Sequence, residues 1–241
     1  LSRRDMSVPA AGQFIAWHGD NVILGILAGW RGVRHFFRQG YVYIWANLLW
    51  IVLTVLIIPA PMAWAGICRL SYNAYRQPTA QFGDFWDGFK AHWRGGLVIS
   101  LVGTLLVIIN LVNLIGARNE TSLVASVLRV LWLMILTGWF GIQLYAFPLL
   151  NAMVTPNLRG AYRNAGVMFV RNPFYSLGLL VVCLPVIIIS LIFPAAWFLI
   201  SGGLFAAIAN SAVLDRLVEA GIQSAPAENR EVDVTAWEEG I

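Results

Sequence analysis

FVRNPFYSLGLLVV, from Phe169 to Val182, joins an Arg, a turn-forming pair and a long apolar run. Two other stretches share that order: FFRQGYVYIWANLL, beginning at Phe36, and HWRGGLVISLVGTL, beginning at His92. Each reads as a corner. A polar-faced helix ends, the chain breaks at Gly or Pro, and an apolar run enters a membrane. At the third corner, Pro173 starts the run, Arg171 stays at the phosphates, and Phe174 and Tyr175 sit at the interface.

Composition sets the same class. Of 241 residues, 59% are hydrophobic and 12% charged, where a soluble globular chain carries roughly 25% charged residues. That much apolar surface, with 11 Trp, marks an integral membrane protein. Cys68 and Cys183 lie in apolar runs with no CxxC partner and no nearby His. They read as inert buried thiols rather than a disulfide or a metal site. The opening LSRRDMSVPAAGQFIAWHGD is polar and mixed, and no cleavable leader is legible in it.

A span needs roughly 20 apolar residues. Six are expected, at about 41–58, 62–75, 97–115, 123–150, 174–193 and 195–214. Helix is the default, because lipid offers no partner to a free backbone group. The expectation is an all-α polytopic bundle occupying 1–222. The second run is short and ends in RLSYNAYR, so a half-helix or a kinked continuation of the first is the alternative. Of the 16 Lys and Arg, only Arg118 and Arg129 fall on one side under this plan. The positive-inside rule then places both termini in the cytoplasm, in the inner (plasma) membrane of a bacterium.

The residues before each break are amphipathic. Phe82, Phe85, Trp86, Phe89 and Trp93 share one helix face, and Asp84, Asp87, Lys90 and Arg94 the other. Ile26, Trp30, Val33 and Phe37, with Arg34 and Arg38, repeat the spacing earlier in the chain. Leu158, Ala161, Tyr162, Ala165 and Phe169, with Arg159 and Arg163, repeat it later. The chain therefore reads as three units of interfacial helix plus helical hairpin. Trp30, Arg34, Arg38, Trp86, Lys90, Trp93, Arg94, Tyr162, Arg163 and Arg171 are the expected interface anchors. Their aromatics would lie in the acyl boundary and their cations against anionic lipid headgroups. The alternative is that the three helices pack on one another as a cytoplasmic cap.

NLLWIVLTVLIIPAPMAWAGICRLSYNAYRQPTAQFGDFWDGFKAHWRGG, from Asn47 to Gly96, resembles the start of the YesL-like family of bacterial membrane proteins. The resemblance rests on Asn-Leu-Leu-Trp at 47–50, on the Pro-rich turn with small residues through Ala65 and Gly66, and on DFWDGFKAHWRGG from Asp84. It implies a membrane fold and a setting beside carbohydrate uptake. It implies no reaction.

Catalytic signatures are missing from the sequence. His18, His35 and His92 lie outside the expected spans, so haem ligation within the bilayer is not expected. No Cys or His spacing suits a metal, and no Walker, GxGxxG or GxSxG pattern occurs. Neither enzyme activity, a cofactor nor nucleic-acid binding is expected. The deep polar residues are amides and hydroxyls, chiefly Asn47, Asn110, Asn113 and Gln143. They suit interhelical hydrogen bonding, or the polar lining of a cavity. Residues 223–241 hold Glu228, Glu231, Asp233, Glu238 and Glu239 against Arg230, an acidic cytoplasmic tail.

Two functions fit. One is a non-catalytic accessory subunit of a larger membrane complex, for which an energy-transducing electron-transfer assembly is one host. The other is an accessory component or small-solute permease linked to carbohydrate transport. The first calls for neighbouring subunits as partners. The second calls for a cavity lined by those amides.

Overall fold

The computed structural model describes residues 21–77, 80–91 and 93–223, and no strand occurs among them. Gly95 and Gly96, where a break was expected, are helical within Trp93–Gly116; His18, His92 and the acidic tail beyond residue 223 lie outside the described residues. Nine helices follow in order among the described residues. They are α1 (Val22–Arg38), α2 (Gly40–Val55), α3 (Ala60–Arg76), α4 (Gly83–Ala91) and α5 (Trp93–Gly116), then α6 (Leu123–Ala152), α7 (Leu158–Arg171), α8 (Pro173–Ile192) and α9 (Pro194–Glu219).

Local chemistry sets the ends. The Asn21 side chain accepts from the Ile23 N–H at 2.9 Å and opens α1. Ser122 does the same for α6, accepting from the Ala125 N–H at 3.2 Å. Pro173 and Pro194 stand at the first positions of α8 and α9, where a missing N–H costs nothing. Between α2 and α3 the chain turns through Ile57 at φ 61°. A β-branched residue is strained there, so the adjoining Pro59 and Pro61 impose a tight turn at a cost.

Four helices are long and apolar enough to cross a membrane: α5, α6, α8 and α9. The two other expected spans are helical but short, with α2 at 16 residues and α3 at 17. The IIPAP turn cuts them, and α3 carries Arg69 and Arg76 in its second half.

Three helices form the centre. α3, α6 and α9 each touch the other two. The Trp64 indole N–H donates to the Gln143 carbonyl at 3.2 Å, joining α3 to α6. Phe140 meets Phe205 edge-on at 6.0 Å, joining α6 to α9. Asn210 donates to the Cys68 carbonyl at 3.1 Å, joining α9 to α3. Small residues on α9, from Ser201 through Val213, are buried almost without exception, so its neighbours approach closely.

Each amphipathic helix lies along one central helix, and the three do not pack on one another as a cap. α4 lies on α3, α7 on α6, and α1 on α9. The first amphipathic helix thus closes onto the last helix of the chain. Ser211 Oγ donates to the Ala28 carbonyl at 2.8 Å, and Arg31 pairs with Asp215 at 2.8 Å. α1 also crosses α8 where Gly25 and Gly178 meet, and a methyl at either position would strike a backbone carbonyl of the other helix.

The faces turn differently from one unit to the next. On α4 the aromatic face turns inward. Phe85 is fully buried, and Trp86 and Phe89 are half-buried. Gly66 and Gly88 allow this, because they let α3 and α4 approach with the Phe85 ring against Gly66. On α1 the small residues Gly25, Ala28, Gly29 and Gly32 turn inward, while Ile23, Trp30 and Phe37 face out. The aromatic stripe expected to face outward on all three helices is exposed on α1 and turned inward on α4.

Candidate functional site

Among the described residues, the helical backbone departs from α geometry within α9. Residues Trp197–Ser201 form a single π-helical turn between Pro194–Ala196 and the helix from Gly202 onward. A π-turn shifts the hydrogen-bond register by one residue, and such turns concentrate at functional sites. Here a side chain from another helix supports it. Asn47, fully buried on α2, donates from Nδ2 to the Trp197 and Phe198 carbonyls, both at 2.7 Å. Its Oδ1 accepts from the Gly203 N–H at 3.0 Å. Only this amide orientation satisfies all three contacts, since the reverse would set oxygen against oxygen.

Aromatic and hydroxyl groups complete the node. Trp50, one turn beyond Asn47, lies against Gly202 and stacks near-parallel on Trp197, centroids 6.3 Å apart. Ser201 Oγ donates to the Ala196 carbonyl at 3.0 Å and meets Ser190 Oγ of α8 at 2.6 Å. Ser190 also reaches the Val186 carbonyl at 2.6 Å. Two hydroxyl protons therefore serve three contacts. The arrangement locks helix register. It holds no nucleophile–base pair.

Gln143 serves a second node, between α6 and α7. Its Oε1 accepts from the Tyr162 hydroxyl at 2.7 Å. Burial raises the Tyr162 hydroxyl above the usual phenol range, against the opposing effect of that hydrogen bond. Asn110 and Asn113 return their amides to their own helix, donating to the Leu106 and Ile109 carbonyls at 2.8 Å. The four amides singled out in the sequence therefore make their hydrogen bonds in three separate places.

The expected anchors divide. Trp30, Arg34, Arg38, Lys90, Trp93, Arg94, Arg163 and Arg171 are exposed. Trp86 and Tyr162 are half-buried against the core instead, Trp86 between Phe85 and Phe89 and Tyr162 between Trp139 and Phe147.

Three buried groups were not legible in advance. Arg216, read as one of the cytoplasmic charges, is fully buried, with its guanidinium 3.8 Å from the Tyr175 ring centroid and bonded to Glu219 at 2.6 Å. His35 is buried and stacks on Tyr75 at 3.7 Å. Asn210 lies at the centre of the bundle. The signal for Arg216 was its place four residues beyond Ala212 on an otherwise apolar face, which hydropathy does not register.

Among the described residues, no three His, Cys, Asp or Glu side chains come together as a metal site. Cys68 and Cys183 are free, buried and on different helices. Comparison with family models, with curated proteins and with solved structures finds no match for this chain.

Proposed function

We propose that the chain is a non-catalytic integral membrane subunit with a structural or accessory role in a larger membrane complex. The observation that carries this reading is the α5–α6 hairpin. Gly96 packs on Met62, in the first turn of α3. Beyond that point α5 continues from Leu97 to Gly116 past the end of α3, a further rise of about 30 Å. α6 returns beside it and rejoins the bundle near Gln143. Over this length the hairpin has little cover from its own chain, and Leu101, Leu105, Val112, Ile115, Leu123, Val127 and Met134 are exposed.

That surface suits lipid on some faces and neighbouring subunits on others. The chain's own polar contacts favour scaffolding over turnover, because the Asn47 node and the Gln143 node each fix one helix against another. α1 runs antiparallel to α9, with Phe36 at Gly203 and Ala28 at Ser211, so the start of one lies beside the end of the other. This supports an even number of crossings with both ends on the cation-rich side, the cytoplasmic face of the inner membrane.

Native mass spectrometry after extraction in mild detergent tests the reading. Co-purified membrane subunits in fixed ratio are expected. Recovery as a lone monomer under conditions that preserve other membrane complexes overturns it.

A further inference from the structure

Two chain segments distant in sequence meet at the foot of the α5–α6 hairpin. Gly95, in the first turn of α5, lies against the Leu158 side chain, which begins α7. This contact sets the segment that carries Lys90 and Arg94 beside the one that carries Arg159 and Arg163. All four are exposed. None of them is paired with a carboxylate among the described residues. Of the two acids on α4, Asp84 is engaged by Asn73 Nδ2 and the Gln81 N–H, and Asp87 is exposed one turn before Lys90.

The surroundings have the character of a membrane interface. Trp93 is exposed at the same level, with the Arg94 guanidinium 5.5 Å from its ring centroid. Above it, α5 carries no charged residue until Arg118. The 24 residues of α5 rise about 36 Å, enough to cross a hydrocarbon core of about 30 Å and enter the headgroups on each side. At the far end Arg129 is already satisfied, by the Glu120 and Ala125 carbonyls and Ser126 Oγ. The two ends of the hairpin therefore differ: at the tip Arg129 is internally bonded and Arg118 has Glu120 two residues on, while the foot presents four exposed cations, none paired with a carboxylate among the described residues.

We propose that Lys90, Arg94, Arg159 and Arg163 form a binding site for the headgroup of an anionic phospholipid at the foot of this hairpin. The inference rests on the reading of α5 and α6 as membrane-crossing helices. The phosphate-bearing headgroup supplies the negative charge that the protein withholds there, and Trp93 supplies the interfacial aromatic.

The test uses the full chain in nanodiscs of phosphatidylcholine alone or mixed equally with phosphatidylglycerol. Native mass spectrometry counts the phosphatidylglycerol retained on the released protein. Each charge removed is expected to weaken retention about five-fold, so the Arg94→Gln/Arg159→Gln double variant loses about 30-fold. The Arg118→Gln/Arg129→Gln control at the tip keeps wild-type retention. On the unaltered protein, retention falls with rising salt, which tests the site even if the foot variant fails to fold. Wild-type retention in a folded foot variant, retention indifferent to salt, or displacement of the lipid by inorganic phosphate at matched concentration each overturns the proposal. A chain that enters neither nanodisc refutes the membrane reading instead, and that result is distinct from the others.

Discussion

Replacing Asn47 by Leu keeps the volume of the side chain and deletes its hydrogen bonds to the π-turn. Three bonds are lost: two donated to the Trp197 and Phe198 carbonyls at 2.7 Å and one accepted from the Gly203 N–H at 3.0 Å. Interhelical side-chain bonds in membranes average about 0.6 kcal/mol, which gives about 2 kcal/mol for the three. The cost rises to about twice that if the released carbonyls stay buried without a donor. A loss of 2 kcal/mol corresponds to roughly 30-fold in the unfolding equilibrium. Unfolding in mixed micelles titrated with dodecyl sulfate reads it through tryptophan fluorescence. Trp50 and Trp197 report directly, because their stacking depends on the same turn. Asn47→Asp is expected to be at least as harmful, since it keeps the acceptor and turns a carboxylate oxygen toward two carbonyls. An Asn47→Leu protein with the wild-type midpoint and an unchanged Trp50–Trp197 signal in near-ultraviolet circular dichroism would refute the assignment of Asn47 as the support of the π-turn.

Four further outcomes are expected. Gly178→Ala places a methyl against the Val22 carbonyl and should destabilise by about 1–3 kcal/mol in the same titration, whereas Gly166→Ala, with open space around it, should be neutral or stabilising by up to about 1 kcal/mol. Arg216→Ala removes a buried guanidinium from the Tyr175 ring and leaves Glu219 exposed to solvent, a loss of about 2 kcal/mol from the cation–π contact and the packing of its stem. Arg31→Ala breaks the half-exposed pair with Asp215 and should cost about 1 kcal/mol or less. Tyr162 is held protonated by burial, so its contribution to stability is complete below the unfolded phenol value of about 10 and declines as pH rises beyond it. Unfolding midpoints should therefore fall on the alkaline side in the wild type and less steeply in Tyr162→Phe, and equal slopes would contradict the buried state.

Much of the fold was legible because hydropathy and breaks are properties of the local sequence. The run from Leu123 to Leu150 and the Pro173 and Pro194 starts correspond closely to α6, α8 and α9. Periodicity likewise grouped Phe85, Trp86 and Phe89 on one face of α4. It left open which side of that face the protein occupies, and Gly66 on α3 decided the question by admitting the Phe85 ring. The π-turn was illegible for a related reason. WFLIS has no composition that distinguishes it from α-helix, and its support comes from Asn47, about 150 residues earlier in the chain. Asn47 was recognised as a buried polar contact, but its partners were set by tertiary packing. Arg216 shows the opposite failure. Its charge suggested a cytoplasmic surface, while the Tyr175 ring and Glu219 provide a place for it inside.

The packing of α1 on α9 has a consequence for biogenesis. α9 is the last of the described helices to be synthesised, yet it lies at the centre of the bundle and carries the surface onto which α1 seats. Gly32 and Phe36 of α1 meet Ile208 and Gly203 of α9, so the earliest helix keeps an unfilled small-residue face until the latest one arrives. Assembly in the order of translation therefore cannot finish piece by piece. α3 and α6 are synthesised before α9, and a chain arrested before Ser201 would leave the seats on α1, α2, α3 and α6 uncovered at once.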